Sequence, residues 1–248
     1  MDDVNALVTE AADRLFRDHM THRLSIEAEA GDFPAAFWEA VEAAGLTLAL
    51  VPEEAGGPGV DPLAAAGLVR RAGYHAVPLP LAETMLANRL LAGFGPQEGA
   101  ALRSLALAGA LDRVLDLTTA YVGERVQFGR TLSKFQAVQQ QVAALAGQVA
   151  AAGGAAGMAA EAFAGAPDPV RIACAKVRTG EAAGIAAGIA HQMHGAMGYS
   201  QEHSLHLLTK RLWAWREEFG NEAHWSRRLG AAALHQGADG LWPFIAAA

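Results

Sequence analysis

The feature that most narrows the fold is a series of three long segments, residues 100–125, 135–163 and 169–194, parted only by short breaks and rich in alanine and leucine. Both residue types favour helix, and each segment is much longer than the usual globular helix. Helices of that length gain their stability by packing along their flanks, so the three are expected to lie side by side as a bundle. Glycines inside them (Gly109, Gly147, Gly153, Gly154, Gly184, Gly188) weaken each helix alone but permit close approach of its neighbours.

The rest of the chain reads the same way. Val4, Leu7, Val8, Ala11, Leu15 and Phe16 recur at helical spacing over residues 4–16. A second helix is expected from near Asp32, with Pro34 in its first turn and Gly45 as its stop. Ala55-Gly56-Gly57-Pro58-Gly59 forces a turn. Asp61-Pro62 then opens a helix that Gly73 is expected to close, and another spans Leu81–Leu91. Further helices are expected over Ser204–Glu217 and Asn221–His235. No series of alternating strands with hairpin turns appears, so the expected class is all-α. The glycine-rich stretch Gly93–Gly99 separates a domain of residues 1–95 from one of residues 96–248.

Composition excludes several functions. Of the 248 residues 52% are hydrophobic and 18% charged, which suits a packed globule and not a disordered chain. A net charge of −7 and a pI of about 5.7 offer nucleic acid no general attraction. The acidic Met1-Asp2-Asp3 start does not resemble a signal peptide, and the apolar runs are broken by charges, glycines or prolines, so no membrane span is expected. The single cysteine, Cys174, has no partner for an internal disulfide and sits among Ile172, Ala173 and Ala175 like a small buried hydrophobe. That fits a reducing, cytoplasmic setting.

Three clusters carry candidate chemistry. Arg125-Val126-Gln127-Phe128-Gly129-Arg130, at the end of a long helix, joins guanidinium and amide to a glycine turn, the materials of a phosphate contact. It is equally the composition of a helix C-terminus. Gln192-Met193-His194-Gly195-Ala196-Met197-Gly198-Tyr199 is either a loop approaching a cofactor or an ordinary helix cap. It follows no strand, so it is not a dinucleotide-binding fingerprint. The histidines around it (His191, His194, His203, His206) lack the spacing of a metal site, and none is expected. The segment from Trp213 to Trp225, with Trp215, Glu217, Glu218 and Glu222, is an aromatic wall beside a ligand or a helix packing its aromatics on neighbours.

In order and spacing these clusters resemble the acyl-CoA dehydrogenases, flavoproteins that oxidise a CoA thioester between its α and β carbons. Phe37-Trp38-Glu39, Leu50 to Gly59 and Pro80-Leu81-Ala82-Glu83-Thr84 are similar to the family's first helical domain. Arg125-x-Gln127-Phe128-Gly129 with Phe135-Gln136, and Gln192-x-x-Gly195-x-x-Gly198-Tyr199, are similar to its two flavin-contacting motifs. The resemblance covers nearly the whole chain. It implies that Arg125 contacts the FAD pyrophosphate, with Gln127 and Phe128 in the same motif. Gln136 and the backbone of Gln192, Met193, His194, Gly195 and Ala196 would contact the nucleotide end. In the family these motifs serve the flavin of the neighbouring subunit.

Two departures bear on function. The family places a β-barrel between its helical domains, and here only Gly93–Gly99 joins them, so the barrel is expected to be absent. Many members carry a basic glutamate in a Tyr-Glu-Gly-Thr segment, where the aromatic alignment offers Phe219 and Gly220. Others carry it on the first long helix, where this chain offers Leu102, Arg103 and Ser104, with Glu98 nearby. Glu218 and Glu222 are the remaining catalytic candidates. The resemblance therefore implies a subunit of a mixed acyl-CoA dehydrogenase, in which a full-length partner supplies barrel and base for a CoA thioester, a bulky or steroid-like one by analogy. This chain would clasp the partner's FAD and be inactive alone. A non-catalytic helical scaffold derived from the family is the other reading. An uncovered long-helix face would also allow a homodimer.

Overall fold

The computed structural model describes residues 2–91, 97–164 and 168–247. Among the described residues the elements are helices, apart from one two-stranded hairpin. Five α-helices precede residue 92: α1 (Asp2–His19), α2 (His22–Glu29), α3 (Ala35–Ala43), α4 (Pro62–Tyr74) and α5 (Leu81–Leu91). Six α-helices follow: α6 (Gln97–Glu124), α7 (Gln136–Ala164), α8 (Pro169–His194), α9 (Leu205–Glu217), α10 (Glu222–His235) and α11 (Gly237–Ala247), with short 3-10 turns between some of them. The hairpin, β1 (Val126–Gln127) and β2 (Arg130–Thr131), joins α6 to α7. Residues 92–96, which part the two groups, are too few to build a barrel.

Helix starts follow the local chemistry. Asp61 caps α4 by accepting from the Leu63 amide, Asp168 caps α8 from Val170 and Arg171, and Asn221 caps α10 from His224. The differences from expectation are local too. Thr21, accepting from Leu24, starts the short α2, and α11 extends the chain beyond His235; neither was anticipated. Gly73 does not close α4, which runs on to Tyr74. A Cβ on Gly73 would overlap the Ala106 carbonyl, and one on Gly109 the Arg70 carbonyl, so these glycines let α4 and α6 approach backbone to backbone. The first long helix stops one residue before Arg125, because Phe128 and Gly129 both take positive φ and turn the chain into the hairpin.

Helix α6 organises the molecule. Every residue from Glu98 to Leu111 is buried, as a helix surrounded on all sides must be. Its first half belongs to one core with Phe16, Phe37, Leu68 and Met85. Its second half (Leu107, Leu111, Val114) joins Leu145, Ala186, Leu208 and Leu212 in another. Helices α6, α7 and α8 run antiparallel in turn, so the end of α6, the start of α7 and the end of α8 gather at one end of the bundle.

By length and composition Gln136–Ala162 of α7 is apolar enough to cross a membrane, contrary to the expectation that every apolar run is too broken. Alanine and glycine keep its hydropathy high where the sequence looked interrupted. A third of that stretch is buried, and Ala137, Gln140, Gln141, Ala144, Gly147 and Ala151 face outward.

Candidate functional site

The two candidate cofactor motifs meet at this shared end of the bundle. Arg125 donates its backbone N–H to Tyr121 O at 2.9 Å, and its carbonyl accepts from Leu132 N at 2.9 Å. Its side chain is exposed, and among the described residues no carboxylate lies within ion-pair distance of it. Gln127 is exposed on β1, and Phe128 at the hairpin tip is 91% exposed, edge-on to Phe135 at 6.2 Å. Arg130 lies over the Phe135 ring at 4.1 Å. Gln136, the first residue of α7, is also exposed.

The last turn of α8 reaches the same end. Tyr121 of α6 stacks on His194 at 4.4 Å, and its hydroxyl donates to the His194 carbonyl at 3.4 Å. His194 is buried, with Nδ1 bonded to Ala190 O at 2.8 Å and Nε2 unpartnered. It acts as a packing centre, and its backbone carries the chain outward. Gly195 follows at φ 57°, ψ −140°, a conformation essentially restricted to glycine. Gln192, Gly195 and Ala196 are exposed and Met193 is half-buried. Burial holds the His191, His194 and His203 imidazoles below the usual histidine range, so all three are neutral near pH 7.

The candidate base positions lie toward the other end of α6. From residue 103 to 125 the helix advances about 33 Å at ~1.5 Å per residue. Arg103, 3% exposed, donates both to Glu83 of α5 and to Glu218 after α9, and lies over the Trp215 ring at 5.1 Å. Glu218 is thus held as an ion-pair partner. Next to it Phe219 takes φ 55° and lays its ring on Gly99. The space among Ala82, Leu86, Gly99, Leu102, Arg103 and Phe219 has no room for a water molecule. Glu222 is bidentate with Arg216, at 2.9 Å on both oxygens. Glu98 is buried, with one carboxylate oxygen unpartnered among the described residues. Lys176 is buried below, donating to the Arg216 and Trp215 carbonyls at 2.7 and 3.3 Å. Burial, opposed by Glu222, brings its ammonium down to about 8.

Sequence reasoning missed Arg103 and Lys176 as organisers of this cluster. The available signal was a lone cation inside an apolar helical stretch, since such residues are almost never buried unless paired. Trp213 is exposed under Arg216, whereas Trp215 and Trp225 pack inward, the latter donating Nε1–H to Phe219 O at 3.0 Å.

The family described as acyl-CoA dehydrogenase, N-terminal domain, matches residues 3–101, and that described as acyl-CoA dehydrogenase, C-terminal domain, matches residues 97–233. This chain belongs to the acyl-CoA dehydrogenase family. Among curated relatives it is similar to acyl-CoA dehydrogenase IpdE2 of Mycobacterium tuberculosis, 39% identical over 103 residues, which is 42% of this chain and 31% of that protein. The match thus spans about a third of that relative's length. Among solved structures it superposes on the Tcur3481-Tcur3483 steroid ACAD with a TM-score of 0.82 at 19% identity, covering 93% of this chain and 97% of that one. The ChsE4-ChsE5 complex from Mycobacterium tuberculosis gives 0.82 at 16% identity, with 94% and 98% covered. Identities this low speak to the fold alone. The family's helical parts are present, and among the described residues the barrel between them is missing.

Proposed function

We propose that this protein is the flavin-completing subunit of a mixed acyl-CoA dehydrogenase, working with a full-length partner that supplies the barrel, the catalytic base and most of the thioester site. The observation that carries this reading is the separation along α6. The Arg125, Gln136 and Gln192 end is exposed, and the base positions lie about 33 Å away, occupied by Arg103 and Phe219. One reacting ring cannot lie at both ends, so the exposed end faces a cofactor held mainly by another subunit. The residues there fit FAD: a free guanidinium for the pyrophosphate, exposed amides for the nucleotide, and a glycine that opens the backbone. Bound FAD would supply the oxidation, accepting the hydride of the Cβ–H bond while the partner's base takes the Cα proton and the C=C bond forms. Arg125 neutralises the pyrophosphate, and the Tyr121–His194 stack fixes the turn that presents the Gln192–Ala196 backbone. The outward small-residue face of α7 is the surface against which a partner helix packs closely.

The named similarities of the solved structures, a steroid ACAD and a two-component complex, favour a bulky CoA thioester as the substrate class. The test is to express the chain alone and with a full-length acyl-CoA dehydrogenase encoded beside it, then record the visible spectrum and mass of each product. A colourless lone chain, a yellow complex and loss of flavin with Arg125→Ala are the expected results. A yellow, active lone chain would overturn the reading. If both products were colourless, the non-catalytic scaffold would replace it.

A further inference from the structure

A cavity away from the exposed flavin-facing candidates, and sharing only Arg211 with the surroundings of Arg103, holds more positive charge than its own side chains balance. It is a hollow of about 130 Å³ between the α1–α2 turn, the end of α4, the middle of α6 and the start of α9. Arg113 and Arg211 line it, with Thr21, Tyr74, His75 and Ser204 among the other polar walls, and no carboxylate lines it. Arg113 donates to the Tyr74 hydroxyl at 3.4 Å and lies 5.4 Å from that ring's centre. Among the described residues no carboxylate is within ion-pair distance of it.

Neighbouring acids are committed elsewhere. Asp13 serves Arg17, Arg71 and His75; Asp112 serves Arg70 at 2.8 Å; Asp116 accepts from Tyr74 at 2.8 Å. Glu29 lies 3.3 Å from Lys210 and reaches Arg211 at 3.9 Å. Arg211 is largely buried, its Nε has no partner, and burial lowers its affinity for its proton. His75, held below its usual range by burial, adds a neutral imidazole. Helix α9 also begins here. Its N-cap Ser204 makes no side-chain cap bond, and Leu207, Leu208 and Arg211 continue the lining along one helix face.

Arg211 is largely buried with only Glu29, shared with Lys210 and 3.9 Å away, to answer it, and Arg113 is half-buried with no carboxylate in reach among the described residues. A guanidinium so weakly paired away from water is costly, and a helix start adds partial positive charge in the same place. We propose that this cavity binds a phosphate-class oxyanion, held by the Arg113 and Arg211 guanidiniums and by the Thr21 and Ser204 hydroxyls. Guanidinium pairs present their donors in the planar fork that matches phosphate oxygens. A water molecule takes about 30 Å³ of liquid, so the hollow has room for one tetrahedral oxyanion. A larger ligand would place only its phosphoryl end inside. The proposal does not depend on the flavin reading, because neither Arg113 nor Arg211 belongs to the exposed end.

The experiment measures thermal unfolding of the full chain, alone and in any complex it forms, in chloride buffer at fixed ionic strength against added inorganic phosphate or AMP. Titration calorimetry follows the same ligands. The parent is expected to gain several degrees with phosphate and to bind one equivalent. Arg113→Gln is expected to melt no lower than the parent in chloride and to lose the phosphate response, while Arg113→Lys keeps part of it. A response to AMP but not to phosphate would support the site and identify a phosphate ester as its ligand. Equal responses in the parent and Arg113→Gln, or none in the parent, would overturn the proposal.

Discussion

Replacing Arg103 by methionine tests whether the closed cleft is a structural lock. The guanidinium is 3% exposed, and its two carboxylate partners are 42% and 41% exposed. Removing one member of a buried ionic cluster costs ~3–5 kcal/mol when the abandoned charges stay buried. Here Glu83 and Glu218 rehydrate in place, so the lower end applies, about 3 kcal/mol. Methionine of similar length keeps the contact with Trp215, which confines the loss to the electrostatics. For a chain of this size each kcal/mol moves the melting temperature by ~2–4 °C, giving a fall of about 6–12 °C. The assay is urea unfolding followed by circular dichroism, with unchanged m-values as the check that the end states are the same. Neutralising the partners as well, with Glu83→Gln and Glu218→Gln, is expected to return much of the loss, because no unpaired carboxylates then face one another. A loss below about 0.5 kcal/mol for Arg103→Met would refute the argument and place the trio among surface pairs of little worth. Flavin content of a mixed complex should survive the change, since Arg125 lies at the far end of α6.

Gly109→Ala should destabilise the chain by about 1–3 kcal/mol, because the new methyl overlaps the Arg70 carbonyl, and a urea midpoint will show it. Gly147→Ala has open space around it and should stabilise the isolated chain by about 0.5–1 kcal/mol while weakening a complex formed through α7, which sedimentation of the mixture would report. Acid should loosen the end of the bundle that carries Tyr121 and His194 first. His191, His194 and His203 have folded values below the unfolded 6.5, so the unfolded chain binds more protons in that window and stability falls as pH drops through it. Amide exchange over residues 195–199, corrected for intrinsic rates, should quicken between about pH 7.5 and 5.5, and His194→Phe should flatten the trend. For Lys176, whose folded value is about 8 against 10.5, the penalty of burying its charge is present below 8 and relieved as pH rises toward 10.5. The difference in unfolding energy between the parent and Lys176→Met should change over that range.

The sequence by itself determined the helical class, the long-helix bundle and the missing barrel, because each rests on information within a few residues. Hydrophobic spacing set the helices, Asp61, Asp168 and Asn221 set their starts, and the few residues between Leu91 and Gln97 leave no length for another domain. The hairpin at Phe128-Gly129 and the short α2 escaped notice because two positive φ angles and a single threonine cap leave faint marks in a sequence. Only the tertiary structure decided which candidates meet. Tyr121 finds His194 across 73 residues, and Arg103 finds Glu218 across 115. Glu218 reads as a free carboxylate in the sequence and becomes the partner of a buried cation in the fold. The physical reason is that a side chain's charge state and reach depend on what shares its low-dielectric surroundings, and packing brings those neighbours from anywhere along the chain.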